Sequence, residues 1–491
     1  MPTPLERVRA LNDRPIAPDG ARVVYWMVAT RRPRHNFALE RAVDHARALA
    51  KPLVVLEPLR AGYLHACDRF HRFVLDGMAD HAAFFRERRV AYHPYVEPAP
   101  GEGAGLLEAL AKDACVVVTD DWPCFFVPHM QRAAAAKLGV RLEAVDASGL
   151  LPVSRAGKAL GRAFDFRRLL HRELPSALED WPLADPTAVE DLVPASIPRG
   201  VTSRWPRASA ALLAGAHDAL AALPIRHTIL PTGERGGFRA AEDRLARFVE
   251  ARLDGYEERA HPDADVASEL SPHLHFGHLG PHAVLGAIAA REGWSPAELD
   301  PSARGARAGF WGTRPAAEQF LDQLVTWREL GFNACRYDEA YDRYASLPAW
   351  ARATLAAHAR DPRPPGYDLA RLEAAATDDP LWNAAQRQLV ESGRMHNYLR
   401  MLWGKKIVGW APSPEAALEW MITLNDRYAL DGRDPNSYSG IFWVLGRYDR
   451  PWGPERPIFG TVRYMTSESA RRKLRLRAYL DRWGDTPALF S

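Results

Sequence analysis

Between Ala21 and Asp146 the β-branched runs ARVVYWMVAT, KPLVVLEPL, VAYHPYVEP, ACVVVTDD and VRLEAVD alternate with stretches whose apolar residues recur at helical spacing. Parallel strands need long crossover connections, which are usually helices. The alternation therefore predicts a parallel five-stranded, Rossmann-like sheet over 20–150. Such sheets bind ligands at the carboxyl ends of their strands. This one carries neither a G-x-G-x-x-G fingerprint nor a Walker-type loop to name the ligand. Residues 151–235 are rich in proline and alanine, with WPLADPTAVEDLVPASIPRG at their centre, and predict a connector carrying a few helices. Beyond Gly236 the strand pattern almost disappears. Segments such as RAAEDRLARFVEARL and PEAALEWMITLNDRYAL predict an all-helical domain over 236–491.

A chain of 491 residues exceeds one ordinary core, and 47% apolar with 25% charged residues is the balance of a folded protein. The cysteines Cys67, Cys115, Cys124 and Cys335 lack metal-ligand spacing, which argues against a disulfide framework or a zinc site and for a reducing, cytoplasmic setting. The opening MPTPLERVRALND is charged where a signal peptide would be apolar, and no window is long and apolar enough for a membrane span. A net charge of +3 says little about partners. The C-terminal end is more basic: from Arg463 to Arg482 seven residues are basic and two acidic. Such a run is a solvated helix face unless other features point to nucleic acid.

The polar residues between Trp382 and Met465 are too specific in type for a plain helical core. WNAAQRQLVESGRMHNYLRMLWGKKIVGW puts Trp382, Trp403 and Trp410 in one helical hairpin. Trp403 and Trp410 are seven residues apart, so they share a helix face about 10 Å apart along the axis. That spacing suits either electron hopping or three core tryptophans. In LNDRYALDGRDPNSYSGIFWVLG a loop opens at Asp431-Gly432 and continues with Asp434-Pro435-Asn436 turn chemistry. A charge there needs a partner, and Arg400 and Asp431 fit each other.

LRMLWGKKI, LNDRYALDGRDPNSYSGIFWV and the Trp452–Met465 stretch together resemble the flavin domain of the class II photolyases, in the photolyase and cryptochrome superfamily. Upstream, ELSPHLHFGHLG (269–280) is similar to the family's flavin-phosphate loop, FLDQLVTWRELGFN (320–333) to its active-site helix, and VVYWMVATRRPRHNFALE to the start of its antenna domain.

The resemblance implies light-driven repair of cyclobutane pyrimidine dimers in DNA: excited, reduced FAD lends an electron to the dimer and takes it back once the ring has opened. It implies that Tyr256, Ser268, Leu270 and Ser271 lie at the FAD phosphates, where loop amides and helix starts favour anions. Trp327, Arg400, Asn425, Asp431 and Asp434 would then line the cofactor, with Asn425 at flavin N5 and Arg400–Asp431 paired beside the ring. Trp403, Trp382 and Trp410 would return electrons to the flavin, Trp403 nearest and Trp410 exposed. Trp327 and Trp443 would wall the extruded dimer, Met401 would lie beneath it and Gln323 at its base edge. Arg450, Arg463, Arg471, Arg472 and Lys473 are the candidate phosphate contacts. A second pigment in the first domain, a deazaflavin or a folate, fits the resemblance, but no residue names it. The expected form is a monomer.

Two departures stand out. Gln323 replaces a glutamate usual in the family, keeping donor and acceptor but losing the charge. Tyr448-Asp449 stands where histidine and aspartate are usual, and the following Trp452-Gly453-Pro454-Glu455-Arg456 is one residue longer. The same fold also serves cryptochrome-like receptors and (6-4) photolyases. Receptors often carry a long C-terminal extension, whereas this sequence ends at Phe490-Ser491. A (6-4) enzyme would place histidines in the lesion pocket, and only His396 and those of the 269–280 loop lie near the relevant segments.

Overall fold

The computed structural model describes residues 2–364 and 366–484; Phe490 and Ser491 lie outside the described residues. The chain divides into two compact units. One comprises 1–155, 172–247 and 269–299, the other 156–171, 248–268 and 300 onward.

The first unit is built on a sheet ordered β1-β6-β5-β2-β3-β4. The five anticipated runs form β2 (Arg22–Trp26), β3 (Leu53–Leu59), β4 (Ala91–Val96), β5 (Ala114–Asp120) and β6 (Leu142–Val145). All pair in parallel, as β-branched runs joined by helical crossovers must. Helices Phe37–Ala48, Asp68–Arg86, Leu106–Ala111 and Val127–Lys137 supply the crossovers. A sixth strand, β1 (Val8–Ala10), not among the anticipated runs, pairs antiparallel with β6 at the sheet edge. Its three residues, Val-Arg-Ala, carry no alternation of their own, and only β6 reveals them as a strand. The central strands are buried on both faces, which explains their continuous valine runs.

At the end of β5 the Asp120 carboxylate organises the segment after β2. Its Oδ2 accepts the amides of Val28, Ala29 and Thr30 at 2.8, 2.7 and 2.9 Å, and its Oδ1 accepts the Tyr25 hydroxyl at 2.6 Å. Near the carboxyl ends of β3 and β4 lies a cavity of about 290 Å³, lined by Trp26, Leu56, Leu59, Tyr95, Leu107 and Met130 among others.

The second unit contains no strand among its described residues. Its core gathers around helices Pro380–Ser392, Asn397–Trp410, Pro414–Tyr428 and Pro435–Val444, with Leu381, Trp382, Leu399, Ile407, Leu424 and Phe442 each at most 1% exposed. Caps set the helix starts: Asp379 receives the amides of Leu381 and Trp382, Ser413 that of Ala416, and Asp434 that of Asn436. The Asp434-Pro435-Asn436 sequence read as continuing the loop is therefore a helix start, with Pro435 at its first position, where a missing N–H costs nothing. Among the described residues no helix is long and apolar enough to cross a membrane, and no group of three or more acidic, histidine or cysteine side chains could hold a metal. All four cysteines are free and buried.

Candidate functional site

Within the helical unit the three tryptophans form a connected series. Trp382, fully buried, comes from helix Pro380–Ser392, and its indole N–H donates to the Trp403 carbonyl at 3.0 Å. Its ring meets that of Trp410 edge-on, 5.3 Å between centroids. Trp403 is 2% exposed, and its N–H donates to the Gln386 Oε1 at 2.8 Å. Trp410 is half-buried at the outer end, with Tyr367 edge-on at 5.0 Å. Trp403 and Trp410 sit on one helix as the spacing required, and Trp382 from the neighbouring helix stands against both of those residues. Gln386 lies four residues after Trp382 on the same buried face, and its place at the end of the buried run from Leu381 was the signal that could have found it.

The loop between helices Pro414–Tyr428 and Pro435–Val444 is held by its own polar groups. Arg400 reaches Asp431 at 3.3 Å, as anticipated, with both side chains mostly buried. Asn425, 3% exposed, donates through Nδ2 to Asp426 Oδ1 at 3.0 Å and to Ser437 Oγ at 2.7 Å. The chain continues helical to Tyr428, so Asn425 lies inside its helix and its side chain serves the loop. Asp426 also accepts the Arg433 amide at 2.9 Å and the Tyr438 hydroxyl at 3.1 Å. Burial raises its carboxyl above the usual range, against the pull of the Arg433 guanidinium.

Gln323 and Trp327 lie on a π-helical turn, Asp322–Trp327, inside an otherwise α-helical run, and the Arg328 amide bonds the Gln323 carbonyl five residues back. Such turns are rare and concentrate where function needs an altered register. No residue type in DQLVTW announces it. The Trp327 ring stacks on Trp443, 4.6 Å between centroids and 12° apart in plane. Helices Arg328–Tyr337 and Pro435–Val444 bring them together by approaching at Gly331, where a Cβ would stand 2.7 Å from the Pro435 carbonyl oxygen. Arg167 stands over Trp327 at 5.5 Å and bonds Asp322 twice. Tyr448 packs beside Trp327 on the cluster of Ala163, Phe166 and Leu330, and burial pushes its hydroxyl up to about 12. Met401 packs half-buried against the core that holds Trp403.

The basic candidates separate into two groups. Arg450 and Arg463 flank Trp452 at 4.6 and 5.0 Å, while Trp452 donates its indole N–H to Asp449 at 3.0 Å. Arg471, Arg472 and Lys473 are the exposed end of the short helix Ser467–Lys473, which buries Ser467 and Ala470. Arg471 lines a surface depression with Trp410 and Lys406. Arg472 is 3.4 Å from Glu468 one turn back, an exposed pair of little energetic weight.

Of the remaining candidates, Tyr256 and Ser268 belong to the helical unit, and Leu270 and Ser271 to the sheet unit. Tyr256 is a buried aromatic set edge-on to Phe248 and Phe320, its hydroxyl pushed up to about 12 by burial. Ser268 is half-buried. Leu270 is the N-cap of the short helix Ser271–His275, and Ser271 is exposed at its first position.

No family model matches the sequence. A protein of Methanothermobacter thermautotrophicus named deoxyribodipyrimidine photo-lyase is 34% identical over 479 residues, 97% of this chain and 98% of its own. A protein of the same name from Oryza sativa subsp. japonica is 34% identical over 96% of this chain and 89% of its own. Among solved structures, a bacterial class III photolyase from Agrobacterium tumefaciens superposes with a TM-score of 0.66 at 18% identity, covering 94% of this chain and 86% of that one. A Synechocystis cryptochrome gives 0.63 at 15%, covering 94% and 88%. Those two likenesses carry the fold: a parallel α/β sheet domain and a helical part. The 34% identity to the two named relatives along nearly the whole length carries more, and the chain belongs to the deoxyribodipyrimidine photolyases, which are lyases.

Proposed function

We propose that this protein splits cyclobutane pyrimidine dimers in DNA under blue light, as the class II enzymes it resembles do, with reduced FAD as its cofactor. The observation that carries the reading is the Trp327–Trp443 stack, an apolar, flat surface in the same unit as the Asn425 amide and the Arg400–Asp431 pair. The residues fit a reduced flavin. Both amide hydrogens of Asn425 are engaged by Asp426 and Ser437, so its carbonyl oxygen is what it offers a ring, and a reduced isoalloxazine presents an N–H at N5. Arg400 and Asp431 would line the ring as a neutral pair, and Asp434 would help to fix the loop between them. Within this unit Tyr256 and Ser268 are the proposed phosphate contacts.

When bound, the flavin supplies the light-driven electron that opens the dimer; the protein supplies position and polarity. Trp327 and Trp443 give the damaged bases a surface to rest on, which a dimer reaches at lower unstacking cost than intact bases. Gln323 offers a donor and an acceptor to a base edge without adding negative charge. Trp410, Trp382 and Trp403 relay electrons inward. Arg450 and Arg463 hold phosphates near Trp452. The cavity beyond β3 and β4, lined by aromatic and aliphatic side chains together with Arg60, Glu97, Glu108 and Lys137, suits a second planar pigment such as a deazaflavin or a folate.

A receptor of the cryptochrome kind would share the flavin without repairing DNA. The two readings part in one assay. Purified, photoreduced protein is incubated with an oligonucleotide holding a single thymine dimer, in blue light and in darkness. Loss of the dimer only in light is expected. Dimer unchanged in both arms overturns the proposal, and repair of a (6-4) photoproduct instead would reassign the substrate.

A further inference from the structure

The π turn interrupts the α-helical run from Pro315 to Tyr337, and an arginine from another helix pairs with its first residue. Arg167 lies on helix Ala163–Ala177 and is 4% exposed. Its Nε and Nη2 each bond one oxygen of Asp322 at 2.7 Å, the forked geometry in which guanidinium and carboxylate match best. Asp322 opens the π turn, Gln323 follows it, and Trp327 closes the turn beneath the same guanidinium at 5.5 Å. Arg167 thus touches both ends of six residues whose hydrogen-bond register is displaced. Burying an ion pair costs more than burying apolar groups of the same size, so a contact needed only for packing would be better made by leucine. What the fork adds is direction: it fixes Asp322, and the cation above the indole fixes the plane of Trp327.

We propose that Arg167 is a positioning residue of the lesion pocket, holding the π turn through Asp322 so that the Gln323 amide and the Trp327–Trp443 stack meet the damaged bases. The inference rests on the proposed roles of Gln323 and Trp327. Arg167 touches no substrate and acts only through these two side chains. Lysine keeps the charge but replaces the planar fork with a single ammonium, so Arg167→Lys separates geometry from electrostatics.

The test compares wild type, Arg167→Lys, Asp322→Glu and the apolar pair Arg167→Leu/Asp322→Leu, all as flavin-loaded full-length protein. Near-ultraviolet circular dichroism, with Trp327→Phe as reference, reads the coupling of the stacked indoles without any DNA. Binding to oligonucleotides with and without a thymine dimer reads the pocket. Arg167→Lys is expected to keep its flavin, lose most of the indole coupling, and bind the dimer about tenfold more weakly with affinity for undamaged DNA unchanged. Asp322→Glu, which keeps the fork, should stay near wild type in both readouts. Should Arg167→Lys fail to fold, the apolar pair, which leaves no buried charge, is expected to show the same two losses. Full coupling and full discrimination in either folded variant would overturn the inference. A wild type that does not distinguish dimer from undamaged DNA would instead refute the repair reading, and the dichroism would still report whether Arg167 orders the turn.

Discussion

The Trp382 indole bonds the backbone of Trp403 itself, so two members of the proposed relay are joined by a hydrogen bond as well as by proximity. Trp403→Phe is expected to abolish light-driven flavin reduction while sparing repair by chemically reduced enzyme; the visible absorbance of oxidised flavin would follow the first and dimer loss the second. Lys405, on the same helix, is 1% exposed and donates to the Val444 carbonyl. Burial pulls its ammonium down to about 7. An unfolded chain keeps that proton up to about pH 10.4, so the cost of burying Lys405 is full below pH 7 and fades as pH rises toward 10. Lys405→Met should therefore raise unfolding free energy by about 1–3 kcal/mol at pH 7, with most of the gain gone at pH 10, measured by urea titration at both values. Residue types were legible where chemistry restricts them. The Arg400–Asp431 pair followed from the cost of a lone buried charge, whereas Ser437 and Asp426 as holders of Asn425 depend on a loop path that no local pattern encodes.

Strands and helices were read from period, and period succeeds where an element buries one consistent face. The five parallel strands announce themselves as valine-rich runs, but β1 is short and takes its conformation from β6. The π turn is invisible for a related reason: apolar spacing over six residues cannot distinguish four from five residues between bonded groups, and the side chains that meet the turn, Arg167 and Trp443, come from distant sequence. The same dependence on long-range partners gives Asp120 its weight, since one carboxylate oxygen satisfies three consecutive buried amides. Asp120→Ala would leave all three without a partner. A loss of about 3 kcal/mol or more is expected in urea unfolding, far beyond the effect of an average substitution.

For the whole molecule, net charge is a poor guide to DNA affinity, because +3 is the small remainder of 64 basic and 61 acidic residues. Placement decides. If Arg450 and Arg463 each neutralise a phosphate, substituting either by glutamine should lower the slope of log affinity against log salt by about 1, with the loss similar for damaged and undamaged DNA. An unchanged slope would remove that residue from the interface. This behaviour is the opposite of that expected for Arg167→Lys, where discrimination falls and the salt slope holds.

The way the backbone is shared between the two units bears on how the protein is made. The sheet unit takes in residues as far along as 299, and the helical unit begins with 156–171. On the ribosome the first 150 residues emerge with all six strands but without 172–247 and 269–299, so the nascent sheet must wait for some 150 more residues before its own packing is complete. Cutting the gene at the end of the last strand would yield an unfinished body, and a soluble fragment should be sought only among circularly permuted or two-chain versions that respect both sets of segments.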